Sequence, residues 1–139
     1  MRLVILESPY AGDVENNVEY ARACLRDSLM RDESPLASHL LYTQCGVLND
    51  DEPFERQRGI AAGLAWRRFA HCSVVYYDRG ISSGMRQGIN AAILQGIWVE
   101  PRSLKGAPVP NEFYDALNEA RAAREKALHV PACWGAWQP

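Results

Sequence analysis

Three short stretches of this sequence carry groups able to act on a small molecule. In Tyr77-Asp78-Arg79-Gly80-Ile81-Ser82-Ser83-Gly84-Met85-Arg86 an acid closes an apolar run, and a Gly/Ser turn opens a helical segment. Gly80 and Gly84 allow close backbone approach, and Ser82 and Ser83 supply hydroxyls. The free amides at the start of the helix, which Met85 and Arg86 begin, favour phosphate or carboxylate, and Arg86 adds a phosphate partner or points to solvent. The same residues would also serve as a plain strand-to-helix connection capped by serine. The pattern is neither a G-x-G-x-x-G fingerprint nor a P-loop, because no G-K-[ST] follows. In Glu7-Ser8-Pro9-Tyr10-Ala11-Gly12 a second acid ends an apolar run. Glu7 is a tentative catalytic carboxylate alongside Asp78, or a strand end facing solvent, and Tyr10 could stack on a base or close the core. His39 is the third candidate, as a hydrogen-bonding group or general acid/base.

These groups need elements to hold them at one edge. Leu3-Val4-Ile5-Leu6 is apolar on both faces, as a central parallel strand requires. Asp13 is suited to cap a helix in which Val14, Val18, Ala21, Leu25 and Leu29 recur at helical spacing, ending before Ser34-Pro35. Leu36-Ala37-Ser38 is the expected second strand, with His39 just past it. Residues 42–53 form a long Gly/Asn/Asp/Pro loop of the kind used as lids, and Pro53 opens the next helix, striped by Ile60, Leu64 and Phe69. Ser73–Tyr77 is the third strand, ending at Asp78, and a helix then runs to about Gln95. Ile97–Val99 is the fourth strand, residues 101–110 a linker, and Asn111 caps a last helix with Phe113, Leu117 and Ala120 on one side. Strands alternating with helices imply right-handed βαβ units: an α/β, Rossmann-like or flavodoxin-like parallel sheet, order 2-1-3-4, with helices on both faces. Such sheets bind ligands beyond the strand carboxyl ends, where strand order reverses. The expected organisation is one domain over residues 1–130 and an aromatic tail, 131–139, carrying Trp134 and Trp137.

Composition narrows the function classes. The chain has 139 residues, 47% hydrophobic and 23% charged, with a net charge of −2. That balance argues against a nucleic-acid polymer as partner, which calls for a basic stripe. The cluster Arg56, Arg58, Arg67 and Arg68 reads as a solvated helix face. Four cysteines (Cys24, Cys45, Cys72, Cys133) form no C-x-x-C pair and no metal spacing with His39, His71 or His129, so reduced thiols and no metal or cofactor are expected. With no signal peptide and no apolar run of transmembrane length, a cytoplasmic protein without membrane contact is expected.

The order and spacing of Tyr77-Asp78-Arg79-Gly80-Ile81-Ser82-Ser83-Gly84, then Gly88, Ala92, Gly96 and Val99, resembles the core of nucleoside 2-deoxyribosyltransferase-like proteins within the SLOG group of nucleotide-binding folds. Ser8-Pro9-Tyr10-Ala11-Gly12 looks like that family's first ligand loop. Ala37-Ser38-His39 resembles a segment of its small, often phage-encoded relatives. The resemblance spans roughly residues 3–100. It implies base exchange on a deoxyribose through a glutamate nucleophile four residues after Gly84, a nucleoside contact near Asp78, and a homo-oligomer with shared sites. Here the nucleophile's position is Gly88, which has no side chain.

Three functions follow as expectations. One is binding, or sequestration, of a nucleotide or nucleotide-derived molecule in a pocket that has lost its nucleophile. The second is N-glycosidic hydrolysis or transfer through Asp78 or Glu7. The third is an interaction module built on the aromatic tail. The expected ligand wall is Ser8, Pro9, Tyr10, Gly12, His39, Asp78, Gly80, Ser82, Ser83, Gly84, Met85 and Arg86.

Overall fold

The computed structural model describes residues 1–129. Its sheet has four parallel strands, β1 (Arg2–Glu7), β2 (Glu33–Leu36), β3 (Cys72–Tyr76) and β4 (Trp98–Arg102), in the order β2-β1-β3-β4. The helices are α1 (Val14–Met30), α2 (Ser38–Leu41), α3 (Pro53–Trp66), α4 (Ser83–Leu94) and α5 (Asn111–Leu128), with a 3-10 turn, Arg67–Phe69, after α3. The expected α/β architecture and strand order are both present. The aromatic tail with Trp134 and Trp137, expected as the basis of an interaction module, lies outside the described residues.

Strand boundaries differ from the sequence reading where proline misled it. β2 contains Pro35 and begins three residues earlier than expected. β4 runs through Pro101 to Arg102 instead of giving way to a loop there. Both are edge strands, where a residue without an N–H can sit on the unpaired side of the ladder.

Alternation along the central strands separates two cores. Val4 and Leu6 join Cys24, Cys72, Val74 and Tyr76 against α1. Val75 joins Met85, Ile89, Val99 and Phe113 beneath α4 and α5. Glu7 pairs in register with Val75 and therefore shares its face, toward α4.

The buried face of α1 is rotated from the apolar stripe in the sequence. Asn17, Ala21, Cys24 and Ser28 are buried, while Val14 and Leu29 are exposed. Polar residues are accommodated because each has partners. Asn17 donates to the carbonyls of Tyr10 and Ala11, and Ser28 donates to Glu33. Burial alone would raise the pKa of Glu33, but hydrogen bonds from Arg102, Ser28 and Arg2 win and hold it at about 2.

Helix α4 stops where glycine permits it. Gly96 adopts φ 73°, and the amides of Gly96 and Ile97 return to the carbonyls of Ile93 and Ala92. This is the αL ending that a residue with a Cβ adopts only with strain. Among the described residues no helix is long and apolar enough to cross a membrane.

Candidate functional site

Strand order reverses between β1 and β3, and a cavity opens at their carboxyl ends, as the general rule for such sheets requires. The centre of a water molecule can explore about 150 Å³ of it. A single bound water needs roughly 10–15 Å³ on that measure, so the space suits an organic molecule better than an ion. The end of β1, the short α2, the inner face of α3 and the first turns of α4 form its walls. Gly63 lets α2 close down on α3, since a Cβ there would lie 2.5 Å from Ser38 Oγ.

Glu7 is the carboxylate at the base of this cavity. Its Oε1 accepts from Arg67 Nη2 at 2.6 Å. Arg67 opens the 3-10 turn and is 3% exposed. Its Nη1 donates to Ser73 Oγ at 3.2 Å, and its Nε is buried without a partner among the described residues. Glu7 Oε2 has no hydrogen-bond partner among the described residues, and the carboxylate as a whole lies against Gly88, Oε1 nearest. A Cβ built on Gly88 would lie 2.5 Å from Glu7 Cδ and 2.7 Å from Oε2, closer than real side-chain carbons approach. The glycine is thus required by the acid: the Glu7 carboxylate occupies the space a side chain at position 88 would fill.

Beside it, Ser8 Oγ lies 2.8 Å from His39 Nε2. The His39 ring is half-buried in the cavity wall, and burial lowers its pKa to about 4, so it is neutral at physiological pH. A neutral imidazole both donates and accepts, but it is a weak general base. Tyr10 meets it edge-on, with ring centroids 6.3 Å apart. This corner offers an aromatic face and a polar pair to a flat ligand.

The start of α4 forms the facing wall. Ser82 is the N-cap, and its Oγ accepts from the Met85 amide at 3.3 Å. That leaves the amides of Ser83 and Gly84 without partners inside the helix. A Cβ at Gly84 would meet nothing nearer than Ser82 Oγ at 3.9 Å, so the space above it belongs to the cavity.

The other expected residues fall elsewhere. Pro9, Gly80 and Arg86 line a neighbouring open cleft, which shares Ala11 and Ser82 with the cavity. Gly80 makes its turn at φ 80°, with its amide bonded to the Tyr77 carbonyl at 2.9 Å. Gly12 turns the chain into α1 at φ 90° and lines neither space. Asp78 lines neither space and serves as a latch. It accepts from Tyr20 at 2.7 Å, from the Leu104 amide at 2.9 Å and from Ser103. Burial pushes its pKa up, but the bonds from Ser103, Leu104 and Tyr20 outweigh that and hold it below the usual range.

Residues 2–102 match the family described as "Domain of unknown function (DUF7768)". The chain belongs to this family. No curated protein matches it. A solved structure of similar fold is the 2-deoxyribosyltransferase of the psychrotolerant bacterium Bacillus psychrosaccharolyticus, described as a biocatalyst for nucleoside synthesis. The identity is 18%, the TM-score 0.56, and the match covers 83% of this chain and 82% of that one. At that identity the likeness is one of fold. The matched segment of this DUF7768 member contains all four strands of the described residues and the walls of the cavity.

Arg67 is the main component the sequence reading assigned elsewhere. The arginine cluster divides instead of forming one solvated face. Arg67 is buried on Glu7, and Arg56 lines the cavity paired with Asp50. Arg58 and Arg68 lie over the rings of Phe54 and Phe69 at 5.5 and 4.7 Å. The available signal was spacing: Arg56 and Arg67 sit at helical positions shared with Gly59, Ile60, Gly63 and Leu64, the face that lines the cavity.

Proposed function

We propose that the cavity holds a nucleoside or nucleotide with its anomeric carbon at Glu7, and that the protein cleaves or exchanges the N-glycosidic bond. The observation that carries this reading is the position of the Glu7 carboxylate. It fills the space above Gly88, where the resemblance to deoxyribosyltransferases implies a glutamate nucleophile. In this reading the acid has been moved from helix to strand, not lost.

Arg67 holds Oε1, so Oε2 is the attacking atom. A bond forms between Oε2 and the anomeric carbon as the carbon–nitrogen bond breaks. The base leaves with the bonding pair and takes a proton from solvent. Water or a second base then displaces Glu7, giving the sugar or a new nucleoside with retained configuration. Tyr10 supplies a stacking face for the base, and the Ser8–His39 pair supplies its edge contacts.

One observation favours a second reading, binding without turnover. The buried guanidinium of Arg67 neutralises Glu7, which would let the pocket hold a ligand and leave it intact. Incubation with a panel of nucleosides and nucleotides, followed by chromatography, separates the two. Release of free base that Glu7→Gln removes supports the enzyme. An intact ligand recovered by mass spectrometry from the denatured purified protein, with no base release, supports sequestration.

A further inference from the structure

We propose that the open cleft beside the cavity is an anion subsite, which takes the phosphate of a nucleotide whose sugar lies in the cavity. The proposal rests on the nucleoside reading of that cavity and adds the charge state of the ligand.

Charge separates the two spaces. The cavity is lined by three carboxylates, Glu7, Asp50 and Glu55, against two guanidiniums, Arg56 and Arg67, so a phosphate inside it would meet excess negative charge. Two arginines and one carboxylate, Arg79, Arg86 and Glu112, line the cleft itself, while Asp13 and Glu119 meet those arginines from outside its wall through long, exposed pairs. The two spaces meet at Ala11 and Ser82, so a ligand can reach from one into the other.

The cleft is built from the core outward. Asn17 is 5% exposed and locked by donating to the carbonyls of Tyr10 and Ala11 at 3.0 and 3.1 Å. Its remaining oxygen accepts from Arg79 Nε at 2.9 Å. One edge of the guanidinium is thereby fixed, leaving its terminal nitrogens for a second acceptor. Among the described residues their only carboxylate neighbour is the exposed Asp13, at 3.5 Å. Arg86, in the first turns of α4, has among the described residues only the exposed Glu119 at 3.4 Å, and no acid stands in the first turn of that helix. Long, solvent-screened pairs of this kind hold an arginine weakly. A phosphate would gain charge-assisted, two-pronged bonds from Arg79 and a second cation from Arg86.

Calorimetry with ribose 5-phosphate and ribose tests this on the wild type, on Arg79→Gln/Arg86→Gln and on Glu7→Gln. Ribose 5-phosphate should bind the wild type at least tenfold more tightly than ribose, and added salt should shrink that preference. The double variant should lose the preference, and Glu7→Gln should keep it. Arg86→Gln alone, on an exposed helix face, should lower it several-fold and covers the case of an unstable double variant. Undetectable binding of ribose 5-phosphate, equal affinity for the two sugars, or a preference that survives in these arginine variants would overturn the subsite. Base release from nucleosides is scored separately. Its absence with the phosphate preference intact would defeat the glycosidic reading and leave the subsite standing.

Discussion

The Glu7 carboxylate and the α-carbon of Gly88 face each other with no room for a methyl group between them. Gly88→Ala must therefore push the carboxylate away from Arg67 Nη2, 2.6 Å away in the wild type. The variant should lose the pair with the Arg67 charge still buried. Removing one partner of a buried pair costs about 3–5 kcal/mol, and displacing one should cost part of that. Urea denaturation of Gly88→Ala against Ala92→Gly, a change in the same helix away from Glu7, would register the difference.

Arg67→Met should destabilise by the full order of about 3–5 kcal/mol, because it strands Glu7 beside an apolar side chain. Arg67→Lys keeps the charge but cannot reach both Glu7 and Ser73, and should cost less. Equal and small losses for both variants, measured in urea, would show that the pair contributes little to the fold.

His39 should make the protein acid-sensitive above the carboxylate range. Its pKa falls from 6.5 to about 4 on burial. Between those values the unfolded chain binds a proton that the native ring does not. Stability present above pH 6.5 is therefore lost as pH falls toward 4. By pH 5 the loss should be about 1–2 kcal/mol, less if solvent reaches the ring. His39→Gln should flatten the change in urea midpoint between pH 7 and pH 5, and an unchanged slope would contradict the assignment.

Ser82 and Gly84 should separate folding from binding. Ser82→Ala removes the α4 cap and should cost roughly 1 kcal/mol of stability without any ligand present. Gly84→Val should leave stability nearly unchanged, apart from about 0.5 kcal/mol of propensity, because its side chain enters the cavity and not the core. It should abolish ligand binding measured by calorimetry.

The sequence makes the scaffold readable where a local rule suffices. The apolar run of Leu3–Leu6, the glycine turn at Gly80 and the serine cap of α4 each follow from one rule. It leaves the site half visible because the decisive contacts join distant residues. Glu7 gains meaning from Gly88 and Arg67, 81 and 60 positions away. No periodicity links them; only the crossing of β1 by the chain between β2 and β3 does. Asp78 stands at the expected strand end, yet Tyr20, Ser103 and Leu104 claim its oxygens from two other elements. The stripe of α1 misled for the same reason, since Asn17 and Ser28 are buried by partners outside the helix.

The central claim is that Glu7 stands in for a side chain at position 88, and an exchange of the two tests it most directly. The measurement is the rate of free-base release from the best substrate of the nucleoside and nucleotide panel, for the wild type, Glu7→Ala, Gly88→Glu and the double variant. Each single variant should fall by roughly a thousandfold or more, one for want of the nucleophile and the other from two acids forced together. The double variant, with one carboxylate returned to the same space from the helix, should recover a substantial part of the wild-type rate. A folded double variant no faster than Glu7→Ala, or a Glu7→Ala that releases base at the wild-type rate, would contradict the account.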